Sequence, residues 1–155
     1  MSEAEQTAIS RLRCREIMTK NVRTATREMT LREVAAMMRD GDMGAVPVVD
    51  NGVAVGIVTD RDIVVRVVAE GKDTATPIGE AMTAELFTVG PDDFVFEAIR
   101  LMGDKQVRRL PVVGAGGELA GIIAMADIAL ETEDEREIAE TLEEISSGAS
   151  FWKKN

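Results

Sequence analysis

The fold of this chain is decided by one short stretch, Gly56-Ile57-Val58-Thr59-Asp60-Arg61-Asp62-Ile63. A weaker copy of it lies further along the chain, Gly121-Ile122-Ile123-Ala124-Met125-Ala126-Asp127-Ile128. In both copies an apolar strand runs directly into a helix start, and an acidic residue follows three positions after the break. The sequence therefore predicts a duplicated strand-to-helix junction. We expect any function to lie at these junctions and in the cleft between the repeats.

A whole unit is repeated around the two junctions. Thr24 matches Thr88 and Pro47 matches Pro111, in each case 64 positions later. One apolar helical face is kept as well, since Leu31, Val34, Ala35 and Met38 match Val95, Ala98, Ile99 and Met102. Apolar residues at the spacing i, i+3, i+4 and i+7 predict a helix in each repeat. Internal duplication is the firmest conclusion that the sequence supports.

Local signals mark the ends of the helix and the hairpin of repeat one. Thr30 followed by Glu33 has the pattern of a capping box at a helix start, and Gly41 is expected to stop that helix. The strand at 46–49 leads into Asp50-Asn51-Gly52, which is a strong hairpin turn signal. The return strand at 53–58 then runs into the junction.

Two further helices are predicted less directly. In repeat two, Asp92 and Asp93 are expected to take over the helix start that Thr30 provides in repeat one. Residues 63–68 are rich in valine, which favours a strand, but the acidic residues before them and Gly71 after them favour a helix. The second copy, 128–131, contains better helix formers, so we predict a helix at both places.

Composition limits the classes of function. The chain has 155 residues and a formal net charge of −10, which disfavours nucleic acid as a partner because phosphates are bound by clustered Lys and Arg. It has no His and no Tyr, so the commonest general base and the usual Ser-His and Cys-His pairs are missing, and we predict no enzyme activity. Cys14 is the only cysteine and is interpreted as an incidental thiol. Without a long apolar run or a signal-peptide pattern, we expect a cytoplasmic protein with no membrane partner.

The repeats resemble a known family. Two βαββα units that carry Ala45-Val46-Pro47-Val48-Val49, the stretch at 56–63 and Val107-Arg108-Arg109-Leu110-Pro111-Val112-Val113 resemble a pair of CBS (cystathionine β-synthase) domains, the Bateman module. The resemblance covers residues 16–131. It implies an α+β (α/β-like) fold in which tandem βαββα repeats pack about a pseudo-twofold axis. It also implies a stand-alone module with no attached catalytic domain, channel or transporter.

The resemblance and the repeat limits divide the chain into five segments. These are an N-terminal arm or helix at 1–15, CBS repeat 1 at 16–71, a connector at 72–79, CBS repeat 2 at 80–131, and a C-terminal acidic helix and tail at 132–155. In the last segment Ile138, Leu142 and Ile145 recur at helical spacing. This spacing predicts an amphipathic helix that docks on the module or on its dimer mate.

The family commonly binds adenine nucleotides or S-adenosylmethionine and often forms flat homodimers. The resemblance therefore implies a regulatory module that senses AMP, ADP, ATP or S-adenosylmethionine in the cleft between its repeats. It implies a homodimer and an unidentified regulated protein partner, with no required cofactor. No metal site is expected either, because the chain has no His, the commonest transition-metal ligand.

The resemblance also implies ligand-binding residues. Thr59 and Asp62 would contact phosphate or ribose, and Asp127 would contact ribose in a second cleft. A carboxylate suits this task because it can accept hydrogen bonds from both ribose hydroxyls. The remaining implied positions are the phosphate contacts Arg108 and Arg109, the apolar walls Val46, Pro47, Leu110 and Pro111, and Thr24.

Two departures from the family pattern make the clefts unlike. Ala124 stands where the motif has Thr or Ser, so the second junction has lost a hydroxyl. Repeat one has Gly44-Ala45 where repeat two has Arg108-Arg109, so only one repeat supplies positive charge. Two equivalent nucleotide sites are therefore not expected.

Structural interpretations stay open beside the binding ones. Thr59 and Asp62 also form a capping-box pattern, which is worth about 1 kcal/mol without any ligand. Asp127 has no hydroxyl at position 124 to reciprocate, which favours a pocket role for it. One of the two arginines is expected to be a solvated edge residue. The alternative to a ligand sensor is a structural or interaction dimer with vestigial clefts that engages a partner through its surface or its C-terminal tail.

Overall fold

The computed structural model of the chain describes residues 11–131. Its helices are α1 (Cys14–Ile17), α2 (Leu31–Gly41), α3 (Asp60–Ile63), α4 (Val95–Lys105) and α5 (Met125–Glu131), with a π-helical turn at Val64–Val68 and a 3-10 turn at Ile78–Glu80. Its strands are β1 (Ala45–Asp50), β2 (Val53–Thr59), β3 (Arg109–Val113) and β4 (Leu119–Ala124). The predicted fold class, a mixed chain of helices and short antiparallel sheets, is confirmed. The predicted C-terminal helix lies outside the described residues.

The chain forms two packed units whose limits differ from those of the sequence repeats. The central unit comprises residues 22–86 and 116–119. The split unit comprises, within the described part, residues 11–21, 87–115 and 120–131. The segment that precedes repeat one therefore packs with repeat two, and the connector packs with repeat one. The division into repeats at 16–71 and 80–131 remains a prediction based on sequence similarity.

The central unit is built on the β1–β2 hairpin. The two strands are antiparallel, and Val46 faces Val58 in the register. Asn51 and Gly52 have φ angles of 49° and 82°, which is the two-residue turn with positive φ that the sequence predicts. Ala25 adds a parallel bridge to β1, and Thr83 adds an antiparallel bridge to β2. The hairpin is thereby extended on both edges.

The split unit repeats this pattern with its own segments. Val89 bridges β3 in parallel, and Thr19 bridges β4 in antiparallel. Its core contains the apolar face of α4, the strands and Cys14, which is completely buried. Cys14 is assigned by the sequence to the N-terminal arm, but here it packs as a core residue.

The start of α2 confirms the capping prediction, and its apolar face needs one correction. The Glu33 N–H donates to Thr30 Oγ1 at 3.2 Å, and the Thr30 N–H donates to Glu33 Oε2 at 3.4 Å. Gly41 is the last helical residue, while the left-handed cap is Asp42 with φ 48°. Ala35, which the spacing places on the buried face, is exposed. Its side chain is too short to reach the core from the margin of that face, whereas the equivalent Ile99 is buried.

The start of α4 differs from the prediction. Phe94, not Asp92 or Asp93, is the residue that precedes the helix, and its N–H donates to Glu97 Oε2 at 3.1 Å. Asp93 instead accepts a hydrogen bond from the Gly90 N–H at 2.7 Å. Asp92 lies close to Arg15, with 2.6 Å between the two side chains. The acidic pair thus organises the loop before the helix.

The helix predicted at 63–68 is present. α3 continues into the π-helical turn, and the chain then reverses at Gly71, which has φ 71°. The Arg66 guanidinium donates to the carbonyls of Ala81 and Met82, both at 2.9 Å. These bonds attach the turn to the segment that bridges β2. No helix among residues 11–131 is long and apolar enough to cross a membrane.

Candidate strand-to-helix sites

The junction of the central unit is a closed reciprocal cap. The Asp62 N–H donates to Thr59 Oγ1 at 3.1 Å, and the Thr59 N–H donates to Asp62 Oδ2 at 2.9 Å. Both residues are half-buried. The capping-box pattern predicted for Thr59 and Asp62 is therefore confirmed, while their contacts with phosphate or ribose stay a prediction. Of the two carboxylate oxygens of Asp62, only Oδ2 accepts a hydrogen bond from another described residue.

The junction of the split unit keeps half of this cap. The Ala124 N–H donates to Asp127 Oδ2 at 3.1 Å, although residue 124 has no hydroxyl to return the bond. Asp127 is also half-buried. As the sequence predicts, no side chain at position 124 reciprocates, so the Asp127 carboxylate accepts this hydrogen bond alone, and its role in a pocket stays a prediction. As in Asp62, the backbone hydrogen bond at the junction is accepted by Oδ2 and not by Oδ1.

A glycine opens space at each junction for the neighbouring segment. A Cβ on Gly121 would lie 2.6 Å from the Thr19 carbonyl oxygen, and a Cβ on Gly56 would lie 2.9 Å from that of Thr83. Both distances are shorter than a carbon can tolerate against backbone. The glycine that begins each motif is therefore required by strand pairing, independently of any ligand.

The ten predicted site residues divide equally between the two units. The central unit contains Thr24, Val46, Pro47, Thr59 and Asp62, and the split unit contains Arg108, Arg109, Leu110, Pro111 and Asp127. Val46 and Leu110 have no exposed surface, and both prolines are buried as well. In the structure these four residues are buried strand residues of β1 and β3. Thr24 is half-buried and directly precedes Ala25, whose N–H donates to the Pro47 carbonyl at 2.9 Å.

The charged side chains at the junctions are the accessible ones. Arg108 and Arg109 are exposed at the start of β3, as Asp60 and Arg61 are at the start of α3. The Asp60 N–H donates to the Gly44 carbonyl at 3.0 Å, and the Met125 N–H donates to the Arg108 carbonyl at 2.9 Å. No local pattern in the sequence marks Gly44 and Asp60 as partners. The repeat provides the one signal for this pair, because Gly44 and Asp60 match Arg108 and Met125 of the second repeat.

The one cysteine has the properties of a buried structural thiol. Burial, and secondly the nearby charges of Asp93 and Glu97, raise the pKa of Cys14 to about 11. A thiol with so high a pKa is protonated at neutral pH and is a poor nucleophile and metal ligand. Among residues 11–131 no three His, Cys, Asp or Glu side chains are grouped so that they could hold a metal ion.

Comparison with known proteins shows the family. The profile of the CBS domain family matches residues 14–69 and 78–134, which is most of the chain and corresponds to both repeats. The chain belongs to the CBS domain family.

Its relatives include small proteins of similar extent. The CBS domain-containing protein YhcV of Bacillus subtilis is 38% identical over 132 residues, which cover 85% of this chain and 94% of that protein. Hypoxic response protein 1 of Mycobacterium tuberculosis is 38% identical over 118 residues, 74% of this chain and 81% of that protein. A crystal structure of hypoxic response protein I, which has two coordinated zinc ions, matches with a TM-score of 0.70 at 36% identity and covers 76% of this chain and 97% of that one.

A ligand-bound relative has also been solved. The CBS domain pair of MJ0100, in complex with 5′-methylthioadenosine and S-adenosylmethionine, matches with a TM-score of 0.70 at 27% identity. The match covers 77% of this chain and 94% of that chain.

Proposed function

We propose that this chain is a regulatory module that binds an adenosyl compound at its strand-to-helix junctions. The observation that carries the proposal is the likeness to the MJ0100 domain pair, which was solved with two adenosyl compounds bound. CBS domain proteins are generally regulatory rather than catalytic. The ligand class is therefore an adenine nucleotide or S-adenosylmethionine, and binding changes the packing of the module for an unidentified regulated partner.

The chemistry of the junctions supports specific roles. Asp62 and Asp127 each accept the N–H of the last strand residue with one carboxylate oxygen. The other oxygen can therefore accept a hydrogen bond from a ribose hydroxyl. Arg108 and Arg109 are exposed and can donate to phosphate. Thr59 contributes through its cap, which fixes the position of the Asp62 carboxylate.

Thermal unfolding with a ligand panel tests the proposal. AMP, ADP, ATP, adenosine, 5′-methylthioadenosine and S-adenosylmethionine are each added to the full chain. A ligand at 100 times its Kd adds about 2.7 kcal/mol of stability. For a chain of this size we expect a rise in Tm of roughly 5–10 °C for at least one compound.

Variants separate binding from capping. Asp62→Ala and Asp127→Ala should each reduce the ligand-induced shift, because each removes an acceptor. Thr59→Ala is the control, since it weakens the same cap but keeps the carboxylate. If no compound moves the Tm at millimolar concentration and both Thr59→Ala and Asp62→Ala lower stability equally, the junction is structural. The chain would then be an interaction module with vestigial clefts.

We also propose a cytoplasmic homodimer. The support is the exposed apolar side chains of each unit: Val64, Val65 and Val68 of the central unit are 56%, 51% and 60% exposed, and Leu130 of the split unit is 86% exposed. Val65 and Leu130 occupy equivalent positions of the two repeats, so a second copy presents matching surfaces.

A further inference from the structure

The two junctions differ most in the side chains at one pair of positions, whose backbones are joined by a hydrogen bond. In the central unit the pair is Gly44 and Asp60, and in the split unit it is Arg108 and Met125. In each unit the first helical residue donates its N–H to the carbonyl of the residue that precedes the strand, at 3.0 and 2.9 Å. The same place in the fold therefore carries different side chains in the two units.

In the central unit this place is acidic. A Cβ on Gly44 would lie 3.4 Å from Asp60 Oδ2, so the carboxylate lies against the glycine backbone. The Arg61 N–H donates to Asp60 Oδ1 at 2.9 Å, which fixes the carboxylate in that position. With Asp62 also present, the two carboxylates outnumber the one guanidinium of Arg61, and the junction is negative by one charge.

In the split unit the same place is basic. Arg108 precedes the strand and Arg109 begins it, and both side chains are exposed. Met125, at the position of Asp60, is 5% exposed and belongs to the core. With Asp127 as the one acid of this junction, the arginines leave it positive by one charge. The two junctions therefore have opposite charge around equivalent carboxylates.

We infer that the two junctions select adenosyl compounds by the charge of the 5′ group. The split unit takes a compound with a 5′ phosphate, and the central unit takes one whose 5′ group is uncharged or cationic, such as a thioether or a sulfonium. The inference rests on the proposed function, because it assigns ligand classes to the same junctions.

Electrostatics gives the physical reason. A phosphate brought beside the fixed carboxylate of Asp60 is repelled, whereas beside Arg108 and Arg109 it gains charge-assisted hydrogen bonds. A sulfonium experiences the opposite preference at each junction. A hydrogen bond to a charged group changes affinity by about ten- to a hundred-fold, which is sufficient for one unit to prefer each class.

Calorimetric titration of the full chain with AMP, 5′-methylthioadenosine and S-adenosylmethionine tests the inference. In an Arg108→Gln, Arg109→Gln variant we expect AMP affinity to fall about ten- to a hundred-fold. The affinities of the two other compounds should stay within two-fold of the parent, a margin of roughly 0.4 kcal/mol. Lys20→Gln is the control for charge alone, because Lys20 is an exposed cation of the same unit.

The reciprocal variant is Asp60→Asn, whose amide oxygen can still accept the Arg61 N–H. It should weaken S-adenosylmethionine several-fold, leave 5′-methylthioadenosine nearly unchanged and leave AMP at the split unit unchanged. Glu70→Gln is the control, an exposed acid of the same unit. A Gly44→Arg, Asp60→Asn variant should create a second AMP site, and Gly44→Ala controls for the added Cβ.

The outcomes separate the inference from the proposed function. If compounds bind but AMP and S-adenosylmethionine respond alike to both charge variants, selection by charge is wrong while adenosyl binding stands. If none of the compounds binds the parent chain at millimolar concentration, the proposed function and this inference are both overturned. Opposite responses of the two compounds to the two variants support the inference.

Discussion

The thiol of Cys14 is kept protonated by its surroundings. Its raised pKa of about 11, against an ordinary 9.0, comes first from burial and then from Asp93 and Glu97. The folded state therefore holds the thiol proton more tightly than the unfolded state does. This contribution to stability is complete below about pH 9 and is lost as the pH rises through 11.

The reactivity of Cys14 is a direct prediction. At pH 8 we expect iodoacetamide to modify the native chain about a hundred-fold more slowly than the urea-unfolded chain, since a pKa of about 11 in place of 9.0 leaves about one hundredth of the thiolate. Mass spectrometry of timed samples measures both rates. Equal rates in the two states would show that Cys14 is not the buried core residue described above.

The hydroxyl missing at Ala124 provides a second prediction. Ala124→Thr should complete the reciprocal cap of the split unit, as Thr59 does in the central unit. We expect the free energy of unfolding to rise by about 0.5–1 kcal/mol, measured by urea denaturation. Ala124→Val is the matched control, because valine has the shape of threonine without the hydroxyl. A threonine variant no more stable than the valine variant would contradict the role of the cap.

At the scale of the element, each hairpin is extended by a segment that is distant in sequence. In the central unit the N–H of Ile57 donates to the Thr83 carbonyl at 3.0 Å and the Thr83 N–H returns a bond at 2.8 Å. Thr19 and Ile122 exchange the same two bonds in the split unit, at 2.8 and 3.0 Å. The glycines at 56 and 121 allow this approach, because a side chain there would overlap the added segment.

The glycine requirement predicts a stability loss that involves no ligand contact. Gly121→Ala places a Cβ 2.6 Å from the Thr19 carbonyl oxygen, and backbone must move to relieve it. We expect the free energy of unfolding to fall by about 1–3 kcal/mol, measured by urea denaturation. Gly44→Ala is the control, since its Cβ would have only a contact of 3.4 Å with a side chain. If the two variants lose equal stability, the close approach at Gly121 is not the cause.

At the scale of the whole molecule, the exposed apolar side chains predict a dimer. Light scattering should give twice the 16.8 kDa chain mass at micromolar concentration. A Val65→Glu, Leu130→Glu variant should shift the mass toward the monomer, because buried charge is costly. Thr26→Glu, in an exposed loop, is the control. A parent chain that scatters as a monomer across this range would end the dimer proposal.

The amphipathic C-terminal helix with Ile138, Leu142 and Ile145 on its docking face lies outside the described residues, and its docking stays a prediction.

The sequence by itself determined the duplication, because a repeated pattern can be read directly along the chain. It also determined the features that depend on neighbours within a few positions: the turn at Asn51-Gly52, the cap of α2 by Thr30 and the helix after Thr59. In each case the residues that interact are three or four positions apart, so their pattern is visible in the one-dimensional chain. The loop before α4 shows the limit of such patterns. Asp92, which the sequence predicts at the helix start, instead forms a salt bridge with Arg15, a residue far away in sequence.

Only the tertiary structure decided which segments pack together and which side chains meet water. The pairing of Thr19 with Ile122, the burial of Cys14 and the exposure of Ala35 each depend on contacts between distant parts of the chain. The same is true of the position of the Asp60 carboxylate, since Asp60 lies against Gly44 through a backbone hydrogen bond that no sequence spacing encodes. Helix and turn signals act locally, whereas strand pairing and burial are set by which surfaces the whole chain brings together.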